Sequence, residues 1–233
     1  MSGYNVEKSY AYLRGFLNGA KMVESKRALE FAYKHHTGQM RKDGSLYIAH
    51  PLEMACYAVA LGITDDTMIA TMLLHDIAED CNIPITSLPV DREVRNAVRY
   101  MTITPREAES KYETKKRYFG DLLDCKEALV CKAVDRYMNL TNMAGVLKDK
   151  DVIKNVKETH QLLLPVMQQA KEEWPDLSDV LHVLRTNLRK TVELLAFAYQ
   201  IPQAELDAEY GTEVPPPTIE SAKSTDSPQS TGG

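Results

Sequence analysis

Apolar positions recur at three- and four-residue spacing through most of the first 200 residues, the period of helices packed on one face. Residues 10–21 and 23–36 read as the first two helices, the second with Ala28, Leu29, Phe31 and Ala32 at helical spacing. Pro51 is well placed to open a helix over 51–61, with Leu52, Ala55, Cys56 and Val59 turned inward. Gly62-Ile63-Thr64 ends it, and Thr64 is the expected cap of a helix over 65–80 with acids in its first turn. Further helices are predicted over 91–101, 126–144, 151–173 and 178–199, with Pro165 kinking or breaking the third and Asp176 or Ser178 capping the fourth. Residues 102–124 are polar and charge-dense, a loop and then a helix beside a presumed cleft.

From about residue 203 the pattern fades. Val214-Pro215-Pro216-Pro217 through Gly233 is a Pro/Ser/Thr/Gly stretch that cannot build a core. The expected organisation is all-α, with an N-terminal helical segment over 1–22, one domain over 23–200 and a disordered tail over 203–233.

Polar groups break this pattern where burial is predicted. Met68 to Leu74 is apolar, and His75-Asp76-Ile77-Ala78-Glu79-Asp80 follows on the same predicted helix, His75 with Glu79 and Asp76 with Asp80 each four apart. Such groups at a buried helix end must be paired, protonated or bound to a cation. His50 sits at a helix entrance, where a lone histidine is more often a cap or surface residue than a ligand. Asp135 follows Ala133-Val134 inside an otherwise buried pattern, with Asn139 and then Asn142 continuing its face. Its candidate partners are Arg136 and a metal shared with His75 and Asp76. Arg41 and Lys42 lie between Gly38 and Gly44 in a loop that by itself reads as an exposed turn. His160 and His182 are single histidines and read as structural.

Composition narrows the chemistry. With 28 Lys and Arg against 33 Asp and Glu, the net charge of −5 argues against a nucleic-acid duplex as partner. The longest apolar runs are too short to span a bilayer and no secretory segment opens the chain, so a soluble, cytoplasmic protein is expected. Cys56, Cys81, Cys125 and Cys131 show no metal-binding spacing and read as reduced core thiols. Without thiolates, His50, His75, Asp76 and Asp135 supply two imidazoles and two carboxylates, a set suited to Mn²⁺, Fe²⁺ or Zn²⁺.

His50, His75-Asp76 and Asp135, in this order, resemble the HD-domain metal-dependent phosphohydrolases. Arg41-Lys42-Asp43-Gly44, Tyr47-Ile48-Ala49-His50-Pro51, Leu73-Leu74-His75-Asp76-Ile77-Ala78-Glu79-Asp80 and Lys132-Ala133-Val134-Asp135-Arg136 are similar, more closely, to the hydrolase domain of the RelA/SpoT-type alarmone enzymes. The resemblance runs from about Ala28 to Ala144. It implies an HD-domain helical bundle with a metal site at its centre and hydrolysis of the 3′-pyrophosphate of guanosine tetra- or pentaphosphate (ppGpp, pppGpp), usually with Mn²⁺, the chemistry that ends a stringent response.

By the same resemblance His50, His75, Asp76 and Asp135 would be metal ligands and Glu79-Asp80 the catalytic acidic pair. Arg41 and Lys42 would hold or stack on the base, and Asn139 would contact ribose or phosphate. With no synthetase domain following, a small stand-alone hydrolase is expected. The chain departs from the family pattern at Cys81, at Tyr137-Met138 and at Leu140-Thr141-Asn142. Two alternatives stand beside this expectation. One is the same enzyme class acting on another nucleotide, such as an adenine alarmone or the 2′-phosphate of NADPH. The other is a catalytically silent metal-dependent nucleotide sensor, which would be expected to lose Glu79 or Asp80 first; both are present.

Overall fold

The computed structural model describes residues 4–41 and 44–211. Among them the periodic segments form twelve α-helices. The first six are α1 (Val6–Gly19), α2 (Val23–His35), α3 (Ala49–Ala60), α4 (Asp66–Leu74), α5 (Ile77–Asp80) and α6 (Arg92–Met101). The rest are α7 (Lys111–Asp121), α8 (Lys126–Met143), α9 (Asp149–Glu158), α10 (Leu164–Glu173), α11 (Ser178–Ala198) and α12 (Gln203–Asp207). The one strand-like pairing among the described residues is an isolated antiparallel bridge between Met40 and Leu46.

Helix α4 is the axis. Every residue from Met68 to Leu74 is buried, so it has no solvent face, and it packs against α2, α3, α6 and α8. Helix α8 carries the core onward to α11, and α11 packs with α10 as a second layer. Helix α2 lacks a side-chain cap of its own. Asp66, in the first turn of α4, supplies it: its carboxylate accepts from Glu24 N at 3.0 Å, Ser25 N at 2.7 Å and Ser25 Oγ at 2.6 Å. That bond set satisfies first-turn N–H groups of α2 and fixes α2 against α4.

Four expectations change. The helix predicted over 65–80 is two helices: α4 ends at Leu74, His75 and Asp76 form a turn with Asp76 at φ −102° and ψ −1°, and α5 restarts at Ile77. The cap of α4 is Asp65, which accepts from Met68 N at 2.8 Å, and not Thr64; an Asp caps as well as any residue. The helix predicted over 151–173 becomes α9, a π-type turn over Thr159–Leu163 and α10, whose first turn holds Pro165. Proline lacks the N–H and crowds the preceding turn, and the wider π turn absorbs both effects. Neither Asp176 nor Ser178 caps α11, because Asp176 lies in a 3₁₀ turn over Pro175–Leu177 and the cap position is Leu177.

The chain also stays folded past residue 203. Leu206 of α12 is buried, and the Gln161 amide donates to the carbonyls of Glu205 and Leu206 at 2.8 and 3.1 Å. The segment expected to be tail from 203 therefore begins with a docked helix, and residues 212–233 lie outside the described residues. The four cysteines are free, two buried and two half-buried.

Candidate metal centre and adjoining cleft

The break after Leu74 does the positioning. At this joint the His75 side chain is buried, 2% exposed, while that of Asp76 is 30% exposed. His75 Nδ1 lies 2.9 Å from the carbonyl of Met72. A carbonyl only accepts, so Nδ1 carries a proton, and the ring would offer the lone pair of Nε2 once the second proton gives way to a cation. That Nε2 is buried without a hydrogen-bond partner, 2.9 Å from Asp76 Oδ2 but out of line for a hydrogen bond and 3.8 Å from Asp135 Oδ1.

His50, in the first turn of α3, approaches from the opposite wall. Its Nε2 is 3.2 Å from Asp135 Oδ1, its Nδ1 is buried without a partner, and its ring stands edge-on to His75 with centroids 5.3 Å apart. One ligand atom from each of His50, His75 and Asp76 lies within 4.8 Å of the others. Asp135 descends from α8 as the fourth group, 7% exposed, its Oδ1 toward both histidines.

The electrostatics favour a cation here. Burial opposes charge on His75, but the Asp76 and then the Asp135 carboxylates override it and raise the imidazole to about 9. Burial likewise opposes charge on Asp76, yet His75 and the Tyr47 hydroxyl hold its carboxyl below the usual carboxylate range. Two imidazoles, with Nε2 of His75 lacking a hydrogen-bond partner, and two carboxylates around one buried point fit a divalent cation of N/O preference.

Neighbouring side chains that the sequence reading gave no role complete the centre. Tyr47 donates its hydroxyl to Asp76 Oδ2 at 2.6 Å and stacks on His36 at 4.6 Å. Lys132 donates to Asp135 Oδ2 at 2.8 Å. Its spacing of three residues was a usable signal, since i and i+3 share a helix face. Arg136, the neighbour weighed as a partner for Asp135, turns away to Asn155 and to Glu158, whose Oε2 lies 3.3 Å from its Nη2.

Glu79 and Asp80 sit on α5, exposed at the rim one turn beyond Asp76. Partial desolvation, then the charge of Asp76, raises the Glu79 carboxyl above its ordinary value, while the backbone of Ile103 and the charge of Lys132 oppose the rise. Asn139 donates to Asp135 Oδ1 at 2.6 Å and accepts from Arg41 Nη2 at 3.1 Å, so the structure joins Arg41 to the cluster in one chain of contacts. Beyond it opens a cleft of about 460 Å³ whose lining includes Arg41, Tyr47, Asn139, Asn142, Met143 and Asn155. Lys42 lies outside the described residues. Cys81 takes its contacts from Gln39 Nε2 at 3.5 Å and from the His35 carbonyl and His36 Nδ1 at 3.6 Å. Within residues 102–124 Arg117 pairs with Glu109 at 2.7 Å and with Asp121 at 3.1 Å, while Lys115 and Lys116 reach out to Glu158 at 3.3 Å and Glu209 at 2.8 Å.

Among the described residues no helix is long and apolar enough to cross a membrane. Residues 28–118 match the family described as HD domain. A Mycobacterium leprae protein named "Probable GTP pyrophosphokinase" is 30% identical over 183 residues, 74% of this chain and 23% of that protein. An Aquifex aeolicus protein named "Guanosine-3′,5′-bis(diphosphate) 3′-pyrophosphohydrolase" is 27% identical over 210 residues, 82% of this chain and 30% of that protein. The chain thus spans less than a third of the length of these two relatives. A solved structure described as a metazoan ortholog of SpoT that hydrolyzes ppGpp superposes with a TM-score of 0.56 at 18% identity, covering 77% of this chain and 97% of that one. At that identity the likeness speaks for the fold alone. The HD-domain match over residues 28–118, the helical architecture and the order His50, His75-Asp76, Asp135 brought to one point make this chain similar to the HD-domain enzymes of the RelA/SpoT type.

Proposed function

We propose that this chain is a metal-dependent phosphohydrolase that removes the 3′-pyrophosphate of guanosine tetra- and pentaphosphate. The observation that carries the reading is the convergence of His50, His75, Asp76 and Asp135 at a buried point that opens, through Asn139 and Arg41, into a cleft. The name of the Aquifex aeolicus relative supports the substrate class.

In this reading the four residues hold a divalent cation, Mn²⁺ first. Bound there, the ion would polarise a phosphoryl oxygen and bring the pKa of a water toward ~7. The other steps belong to side chains of this chain. Arg41, with Lys42 beside it in sequence, holds the nucleotide in the cleft, and Asn139 spans the gap between nucleotide and ligand set. Glu79 and Asp80 orient the attacking water and accept its proton. The raised Glu79 carboxyl brings its pKa nearer neutrality, where proton transfer is most effective. Water then adds across the ester bond between the ribose 3′ oxygen and its diphosphate, leaving pyrophosphate and the nucleoside 5′-phosphate part of the substrate.

The test is turnover of guanosine tetraphosphate with Mn²⁺, following pyrophosphate and guanosine diphosphate. Pyrophosphate release by the wild type that Asp76→Ala and Glu79→Ala both abolish supports the reading. Folded, Mn²⁺-bound protein that releases no pyrophosphate would overturn it.

A further inference from the structure

Asp135 presents two chemically distinct oxygens. Oδ1 faces the cluster, with Asn139 Nδ2 at 2.6 Å, His50 Nε2 at 3.2 Å and His75 Nε2 at 3.8 Å. Oδ2 points the other way, to Lys132 Nζ at 2.8 Å. A carboxylate has nothing intrinsic that keeps it so, because the terminal torsion of Asp is broad and two-fold. Either oxygen, or both, can turn to a cation unless something anchors one of them.

Lys132 is built to be that anchor. It stands three residues before Asp135 on α8, and its side chain is only 16% exposed. Its ammonium lies 5.9 Å from the centroid of the Tyr118 ring, and Tyr118 is itself held by a bond from its hydroxyl to the Met101 carbonyl at 3.1 Å. A lysine free to move would extend to water. This one is confined between an aromatic face and a carboxylate.

The geometry points to Lys132 as the positioning residue of the metal centre, one that ties back Oδ2 of Asp135 so that the carboxylate offers Oδ1 alone to the cation. The inference deepens the proposed function and rests on its metal site, not on its substrate. It also has a sign that separates it from simple proximity. A positive charge beside a cation site weakens binding by Coulomb repulsion, so removing a bystander lysine would tighten Mn²⁺ binding. Removing an anchor loosens it, as loss of outer contacts to metal ligands commonly does by ~10–100-fold.

Calorimetric Mn²⁺ titration of wild type, Lys132→Met and Lys132→Arg makes the test, with electron paramagnetic resonance of the bound ion. The expected result is at least ~10-fold weaker binding and an altered Mn²⁺ spectrum for Lys132→Met. Lys132→Arg, which keeps a cationic donor, should recover most of the affinity. Unchanged or tighter binding by Lys132→Met overturns the proposal. Should that variant fail to fold, a crystal structure of the Mn²⁺-bound wild type decides instead. Oδ1 on the ion with Oδ2 still on Lys132 supports the inference, and a chelating or reversed carboxylate overturns it. A wild type that takes up no Mn²⁺ fails the metal site itself, whereas one that binds Mn²⁺ without hydrolysing guanosine tetraphosphate leaves Lys132 testable and removes only the substrate.

Discussion

Tyr47 places its hydroxyl 2.6 Å from Oδ2 of Asp76, across 29 positions of sequence. The phenol and the His75 ring approach the same carboxylate oxygen from different sides, so Tyr47 sets how Asp76 faces the centre. Tyr47→Phe removes the donor and keeps the ring stacked on His36. Mn²⁺ affinity should fall by about 10-fold, while the melting temperature without metal changes little, since one part-buried hydrogen bond is worth only ~1 kcal/mol. Calorimetry and a thermal melt on the same preparation check both halves.

Asn139 touches both Arg41 and Asp135, and the two contacts predict different kinetics. Arg41→Ala should raise KM and leave Mn²⁺ affinity near wild type, because Arg41 bonds to Asn139 and reaches Asp135 through it. Asn139→Ala should raise KM and weaken Mn²⁺ binding together. The double variant should show a coupling of ~0.5–3 kcal/mol in kcat/KM, the range for residues in direct contact. Strict additivity would mean that the bridge carries no energy.

Glu158 tests the fold away from the centre. It is buried, with Lys115 and Arg136 at 3.3 Å and the Tyr210 hydroxyl at 3.0 Å, and so ties α7, α8 and the chain after α12 to α9. Burial opposes its charge, but Arg136 and then Lys115 outweigh that and hold its carboxyl below the ordinary glutamate value. A depressed carboxylate contributes stability that is present above the unfolded pKa of ~4.3 and is lost as pH falls through the lower folded value. Glu158→Gln leaves buried Arg136 and half-buried Lys115 without their anion and should cost ~3–5 kcal/mol at pH 7. The gap in melting temperature between wild type and variant should close as pH drops below ~4.3. A gap that stays constant with pH would place the cost in packing and not in charge.

The sequence revealed more of the helices than of the joints between them. The apolar faces of α2, α3, α6 and α8 are periodic, and their limits fell within two residues of those read from the pattern. The joint at His75-Asp76 was not legible, because the local sequence is helix-compatible on both sides and the turn follows from tertiary placement of the two side chains. His50, His75, Asp76 and Asp135 stood out because polar groups in apolar stretches must find partners. Tyr47 and Lys132 did not, because a tyrosine before a helix and a lysine on a helix face are ordinary in isolation. The contact of Tyr47 exists only where the approach to α3 meets the end of α4, whereas the i,i+3 spacing of Lys132 and Asp135 was readable on α8 but named no role.

In the proposed function, metal binding and proton transfer are separable at α5. Asp76 belongs to the buried cluster, whereas Glu79 is one turn further along and exposed at the rim. Saturating Mn²⁺ should stabilise wild type, by ~2.7 kcal/mol at a concentration 100 times Kd, and chelation should reverse the gain. Asp76→Asn should lose that stabilisation and turnover together. Glu79→Gln should keep the Mn²⁺-dependent rise in melting temperature and lose ~10²–10⁴-fold in kcat, the usual reach of general acid-base catalysis. If Glu79→Gln lost the thermal gain as well, the carboxylate would belong to the ligand set and the proton would have to pass through Asp80. If it kept both gain and turnover, neither role would be left for it, and the acid-base work would shift to Asp80 alone.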